Sequence, residues 1–430
     1  DGLSLDASGG EISGTPTALG AFDFTVEAAS DGQTGDQALS ITIGPAPVGI
    51  DTDRLDTAYP GATYSDFVEA SGGDGPFSWA VTAGSLPDGL SLDPSTGEIS
   101  GSGGTPGAYY FTVTVANAGE TASKTYAVAI STRPATAFNM GISNIAGNTI
   151  PSAAVVQHLS EALARWEEVI TEDLGDVTYG PNDWSPGSVG ASLNGQTIDD
   201  MEILVNLANI DGPGATLGSA GPRDVRVLSG PVNFATIFGR LTLDTSDLDS
   251  LDDHQLFSLF FHEIAHIVGV GTLWPLFSQF GGTDLISGEG TADPRYEGTG
   301  ANDVYTGVLG GPSSGVDTRI PIEAEGGTGT RDGHWDEGEF DTEIMTGWAE
   351  ASGIDQPVST MTIAAVGDFA YTVDTGAADP YALPVCAPFC TAAPPAPGAR
   401  KIFLDDISAE PIRALLPDGT VLWVDPRRDR

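Results

Sequence analysis

The chain has 430 residues, 40% of them hydrophobic, enough to bury the cores of two or three domains. Sixty acidic residues against sixteen basic ones leave a formal net charge of −44, which argues against nucleic acid and anionic membranes as partners. No run of eighteen apolar residues is present to span a membrane, and two cysteines, Cys386 and Cys390, make no disulfide scaffold beyond one small loop. Only Lys124 and Lys401 are lysines, an acidic and lysine-poor balance expected of salty surroundings. Calcium held by surface carboxylates is the competing explanation. The chain opens at Asp1 without a starter methionine or signal peptide, as a mature or excised segment would.

The first third repeats itself. DGLSLDASGGEISG at 1–14 returns as DGLSLDPSTGEISG at 88–101, and Phe22-Asp23-Phe24-Thr25-Val26 lines up with Tyr109-Tyr110-Phe111-Thr112-Val113. Short alternating runs such as FTVTV and YAVAI, punctuated by turn residues, predict β-sandwich modules. The earlier copy lacks the leading half that the later one carries from Asp51 onward, so a partial repeat over 1–49 and a fuller one over 50–132 are expected. LPDGLSLDPSTGEISG resembles the immunoglobulin-like repeats of bacterial surface proteins. That resemblance implies spacer or adhesion modules able to bind surface partners, with no catalytic signature of their own.

Beyond residue 132 the pattern changes. Leu159, Leu163, Trp166 and Ile170 stand at helical spacing among charged residues and predict an amphipathic helix over 152–171. Met201, Ile203, Val205 and Leu207 alternate as a strand, and Ile237, Leu241 and Leu243 suggest another. A second helix is predicted over about 251–268, with Ser250 as N-cap, Asp252 and Asp253 in its first turn, and Gly269 as its stop. From Gly281 to Gly333 the chain is glycine-rich and reads as irregular loop. After Cys390, TAAPPAPGA is a Pro/Ala linker, and the residues after it predict a short β-rich appendage of no legible role.

The second helix carries His262-Glu263-Ile264-Ala265-His266, the HExxH pattern. Histidines at i and i+4 leave one face of a helix and can reach one zinc ion. The glutamate between them sits where it can take a proton from a water activated by the metal, then pass it to a leaving amine. Around the motif the helix is apolar, and burying two histidines and a glutamate there is costly without a metal or charge partner. A third ligand is needed, and the position three residues beyond Gly269 is Thr272, not histidine. His158 reads as a surface residue and His254 lies two turns too early on the same helix. His334 is the remaining histidine. A glutamate ligand is the rival, with Glu289, Glu297, Glu337, Glu339 and Glu343 available.

HEIAHIVGVGTLW, followed after a long insertion by His334-Trp335 and then EIMTGW, closely resembles the leishmanolysin-like metallopeptidases, a metzincin group. ARWEEVITEDLGDV, IDGPGATLGSAGP, TADPRYEGTGA and VSTMTIAAVGDFAYTVDTGAADPY are similar to family segments in the same order, over roughly 140–390. The resemblance implies zinc held by His262, His266 and His334, with Glu263 as catalytic base. It also implies an apolar floor at Met345, a chain turn at Gly269, and a peptide bound along a strand edge. The family's cysteine framework is absent, and no cysteine precedes residue 386 to cap a zinc ion.

These features together predict a multidomain chain: N-terminal all-β immunoglobulin-like sandwiches (1–49 and 50–132), then an α+β metzincin-like catalytic domain (133–392). A linker and short extension (393–430) follow. The expected activity is zinc-dependent endoproteolysis of polypeptide substrates outside the cell or at its surface, with calcium as a further structural ion. The alternative is an inactive adhesion or spacer protein with a structural zinc, for which a fourth protein ligand would be needed and none is evident in the sequence.

Overall fold

The computed structural model describes residues 2–384 apart from 74, 145–146, 148, 181–192, 194, 215, 229–232, 313–316 and 370. Beyond 384 it describes 402–403, 406–408, 410–416 and 419–424. Cys386, Cys390 and the Pro/Ala linker lie outside the described residues. No described helix is long and apolar enough to cross a membrane.

The sequence repeat is also a repeat of elements. An offset of 87 residues carries the hairpin Gly20–Ser30/Gln33–Ile43 onto Gly107–Asn117/Glu120–Ile130. The same offset carries Leu3–Leu5 onto Leu90–Leu92. Alternation along each strand puts one apolar face inward. In the second copy Thr63–Phe67 and Ser78–Gly84 join the two sheets, and Trp79, Ile99, Phe111, Val113 and Tyr126 fill the space between them. In the first copy no described strand takes those two places. Leu3, Leu5, Phe22, Phe24 and Ile41 accordingly line an open groove, and no residue in 2–47 is buried.

The rest of the chain centres on a six-stranded sheet. Its strands are β1 (Met140–Asn144), β2 (Met201–Ala208), β3 (Gly218–Leu228), β4 (Asn233–Asp244), β5 (Ile412–Leu415) and β6 (Val421–Val424), in the order β1-β2-β4-β3-β5-β6. Pairing is parallel for β1-β2, β2-β4 and β3-β5, and antiparallel for β3-β4 and β5-β6. The predicted appendage thus extends the main sheet across the edge of β3. The molecule is β-rich with few helices, and two of them, α1 (Ala153–Val169) and α2 (Asp253–Val268), set the main core.

Ser152 caps α1, whose buried stripe includes Leu159, Leu163 and Trp166. The indole of Trp166 stacks on Phe261 of α2 at 4.6 Å and donates from Nε1 to the Phe261 carbonyl (3.1 Å). The N-cap of α2 is Asp252, not Ser250. Gln255 N donates to Asp252 Oδ1 (2.9 Å) while the Gln255 side chain accepts from Asp252 N (3.2 Å), a reciprocal capping box. Ser250 instead closes the short turn Leu248–Ser250 through its hydroxyl on Asp247 O. On the sheet side, Gly239 of β4 admits Ile267, since a Cβ there would lie 2.2 Å from Ile267 Cγ2.

Two further expectations fail. The glycine-rich stretch is not wholly irregular: GTGANDVYTG contains α3 (Thr299–Gly307), whose first N–H groups Gly300 and Ala301 donate to the Asp368 carboxylate after α4 (Thr360–Gly367). This long-range cap is invisible in local sequence. His158 is not a surface residue but is 5% exposed, wedged between α1 and α2, with Nδ1 against Glu161 (2.7 Å) and Nε2 against Asp253 (3.2 Å).

The second module is joined to this body by polar contacts as well as packing. Buried Arg54 reaches Glu202 of β2 (3.5 Å) and Gln196 (3.2 Å), Tyr59 donates to Asp199 (2.6 Å), and Ala108 N donates to Ser160 of α1 (2.8 Å).

Candidate metal centre

His262 and His266 project from the last two turns of α2 because four residues nearly complete one helical turn. Gly269 stops the helix at φ 134°, and Thr272, at the position where a third histidine would stand, donates from Oγ1 to His266 O (2.7 Å). Thr272 therefore satisfies a helix-end carbonyl. Gly271, at φ 74°, passes so close to Gly333 that a Cβ would lie 2.1 Å from the Gly333 carbonyl oxygen. That approach delivers His334 to the end of α2. His334 is held in place by Trp335, buried between Trp274 (4.9 Å) and Tyr296 (5.3 Å), with its indole N–H on Thr362 Oγ1 (2.8 Å).

The three Nε2 atoms lie 3.0 Å from one another. Each Nδ1 faces a carbonyl: Ile344 O for His262 (2.6 Å), Val270 O for His266 (2.8 Å) and Thr330 O for His334 (2.8 Å). A carbonyl only accepts, so each Nδ1 carries the proton and each Nε2 presents a lone pair. Three lone pairs converging at that spacing repel unless a cation lies among them, and the carbonyl partners fix each ring as metal-binding histidines require. The residues fit a metal ion.

A fourth group completes the cluster. Asp406, from the C-terminal extension, lies with Oδ2 3.0 Å from His262 Nε2 and Oδ1 3.5 and 3.4 Å from His266 and His334 Nε2. The buried His262, His266, His334 and Asp406 form a group that could hold a metal. With the ring protons on Nδ1, no Nε2–H points at Asp406, and its buried oxygens have no hydrogen-bond donor among the described residues. Sequence reasoning missed Asp406, which stands 140 residues beyond His266 in LDDIS with no ligand spacing to mark it.

Glu263 is fully buried, and both carboxylate oxygens are without a hydrogen-bond partner among the described residues. It packs against β3, where a Cβ on Gly218 would lie 2.5 Å from Glu263 Oε1. Burial, with Asp406 adding to it, pushes the Glu263 carboxyl well above the usual range. Burial lowers His266 to about 4, so that ring is neutral and available as a ligand.

Four of the five rival glutamates go elsewhere. Glu297 pairs with Arg319, Glu339 accepts from Tyr305 (2.9 Å), and Glu337 lies in an acidic group with Asp341 and Glu350. Glu343 braces the turn beneath the histidines. Its Oε2 accepts from Met345 N (2.7 Å), and its Oε1 from Ser359 N (3.0 Å), Ser359 Oγ (2.7 Å) and Thr362 Oγ1 (2.5 Å). Met345 itself is fully buried. His254 is half-exposed and paired with Asp355, away from the cluster. For the expected calcium, Asp173, Asp199 and Asp200 form a second acidic group.

Comparison with known proteins speaks to the N-terminal third. Residues 1–44 and 46–131 match the family described as "Putative Ig domain". These residues are immunoglobulin-like. No curated protein matches the chain. Among solved structures it is similar to a "putative alpha-galactosidase" from Bacteroides fragilis (18% identity, 52% of this chain, 36% of that one, TM-score 0.20). It is also similar to the protocadherin gamma B2 extracellular cadherin domains 3–6 (18% identity, 30% of this chain, 38% of that one, TM-score 0.19). The chain thus spans well under half the length of either, and at these TM-scores neither likeness bears on fold or activity.

Proposed function

We propose that the chain is a zinc-dependent endopeptidase of metzincin type, acting on polypeptides outside the cell or at its surface. Residues 133–392 would form the catalytic domain, behind immunoglobulin-like modules that engage surface partners. The observation that carries this reading is the convergence of three Nε2 lone pairs at 3.0 Å beside a buried glutamate with no hydrogen-bond partner among the described residues.

His262, His266 and His334 would hold the ion, which when bound supplies Lewis-acid activation of water and of the scissile carbonyl. Glu263 takes the proton from the attacking water and hands it to the leaving amine. Its isolation from other donors leaves both oxygens free for that transfer. The edge of β3 is where an extended peptide would pair, and Gly218 sets that edge directly against Glu263. Met345 and Glu343 keep the floor and the Ile344 carbonyl in register with His262.

One observation favours a second reading, a structural metal in an adhesion protein: Asp406 supplies the fourth donor that a closed site needs. Against it stands Glu263, whose burial without a partner costs about 1–3 kcal/mol or more and serves no purpose in a purely structural site. The test is Glu263→Gln, made both in the parent and in an Asp406→Ala chain, each compared with its own Glu263 counterpart. Metal content should stay at the parent's level while chelator-sensitive hydrolysis falls by about a hundredfold or more. Hydrolysis at the parent's rate would remove Glu263 from the mechanism.

A further inference from the structure

The segment Asp406–Ser408 lies along the β3 edge where a paired substrate would have to lie. Ala220 N on the β3 edge donates to Asp406 O (2.9 Å), and Ser408 N donates back to Ala220 O (2.9 Å). These are the two hydrogen bonds of an added parallel strand, with Ala220 opposite Ile407. On the other side Ile407 N donates to Gly329 O (3.4 Å), and the Ile407 side chain fills the space over Gly333, where a Cβ would lie 2.1 Å from Ile407 Cδ1. The segment is thus held between β3 and the loop that bears His334. Its carboxylate points at the three Nε2 atoms while being 1% exposed.

We propose that Asp406 is the fourth ligand of the metal in a latent form of the chain, and that Asp406–Ser408 must leave the β3 edge before a peptide can bind. The inference rests on the zinc-peptidase reading of the same site. An aspartate does here what a water would do in an open site: it occupies the position left by three histidines. The neighbouring backbone does what a bound peptide would do, pairing with Ala220, two residues from the Gly218 that lies against Glu263. The latch is tethered from behind. Arg413 of β5 pairs with Asp224 of β3 (2.5 Å), both buried, and Tyr179 donates to the same carboxylate (2.6 Å). This anchor keeps Asp406 near the cluster at a high effective concentration, so a dilute peptide cannot compete. Release therefore requires cutting or displacing the extension.

The test compares the full-length parent with Asp406→Ala, which removes the ligand, and Ser408→Pro, which removes the donor to Ala220 O. Each is loaded with cobalt(II), and its visible absorption is followed as acetohydroxamate is added. The parent should be unresponsive, its position being filled, while both variants should shift on binding the hydroxamate. The zinc-loaded variants should also hydrolyse a fluorogenic peptide about a hundredfold faster than the parent. Equal hydroxamate responses in all three proteins would overturn the latch. If hydrolysis is also equal and chelator-sensitive in all three, the peptidase reading stands without it. If the variants open to hydroxamate but hydrolyse nothing, Asp406 stands as the fourth ligand and the peptidase reading falls. Failure of all three to bind cobalt would overturn both.

Discussion

Glu343 gives the sharpest test of how the metal centre is supported. It touches none of the three histidines, yet its two oxygens accept four hydrogen bonds that tie the Met345 turn to the start of α4. In Glu343→Gln the carbonyl oxygen should stay on the side with three donors, placing the new NH2 against Met345 N–H. One hydrogen bond to a charged acceptor is lost, about 1.5–3 kcal/mol, and two donors are left facing each other. A total near 2–4 kcal/mol follows, which for a unit of this size lowers the melting temperature by about 5–15 °C. The turn also carries the Ile344 carbonyl that fixes His262, so zinc should dissociate faster from the variant. Thermal unfolding followed by circular dichroism, together with zinc release to a colorimetric chelator, reads both effects. A variant that melts with the parent and releases zinc at the parent's rate would refute the bracing role.

Arg54→Leu tests how firmly the second module is joined to the sheet. Removing the guanidinium leaves Glu202 buried without its cation, at a cost of about 3–5 kcal/mol seen in the urea midpoint; a change below about 1 kcal/mol would mean the pair is immaterial. Asp200 gives a pH dependence. Burial pushes its carboxyl up to about 7, against the pull of the Leu174 and Asn139 amides, with Asp199 and Asp173 adding to the rise. The folded state therefore favours the protonated form. The stability it contributes is full below the unfolded value near 4, falls as pH rises, and is lost above about 7. Asp200→Asn should flatten the fall in urea midpoint between pH 4.5 and 7.5; an unchanged slope would exclude Asp200 as its source.

The sequence was informative wherever the geometry is local. HExxH lies on one helix face because the helical repeat dictates it, and α1, β2 and β4 emerge where their periodicity placed them. The repeat at an offset of 87 residues survives as a repeat of strands because equal alternation and equal turns give equal hairpins. Legibility failed where one local signal competes with another, as with Ser250 and Asp252, polar residues two apart that both suit a cap. It failed again where burial depends on a partner from elsewhere, as with His158 between two helices.

By itself, then, the sequence determined a half-site: two histidines and a glutamate whose relative positions follow from 3.6 residues per turn. His334 could be named as a candidate because the chain has only five histidines. Asp406 could not, because it is one of sixty acidic residues and its position depends on a strand pairing with β3 nearly two hundred residues away. Only the tertiary structure decided that pairing. Hydrogen bonds to a sheet edge are made by backbone common to every residue, so no side-chain pattern announces which distant segment will make them.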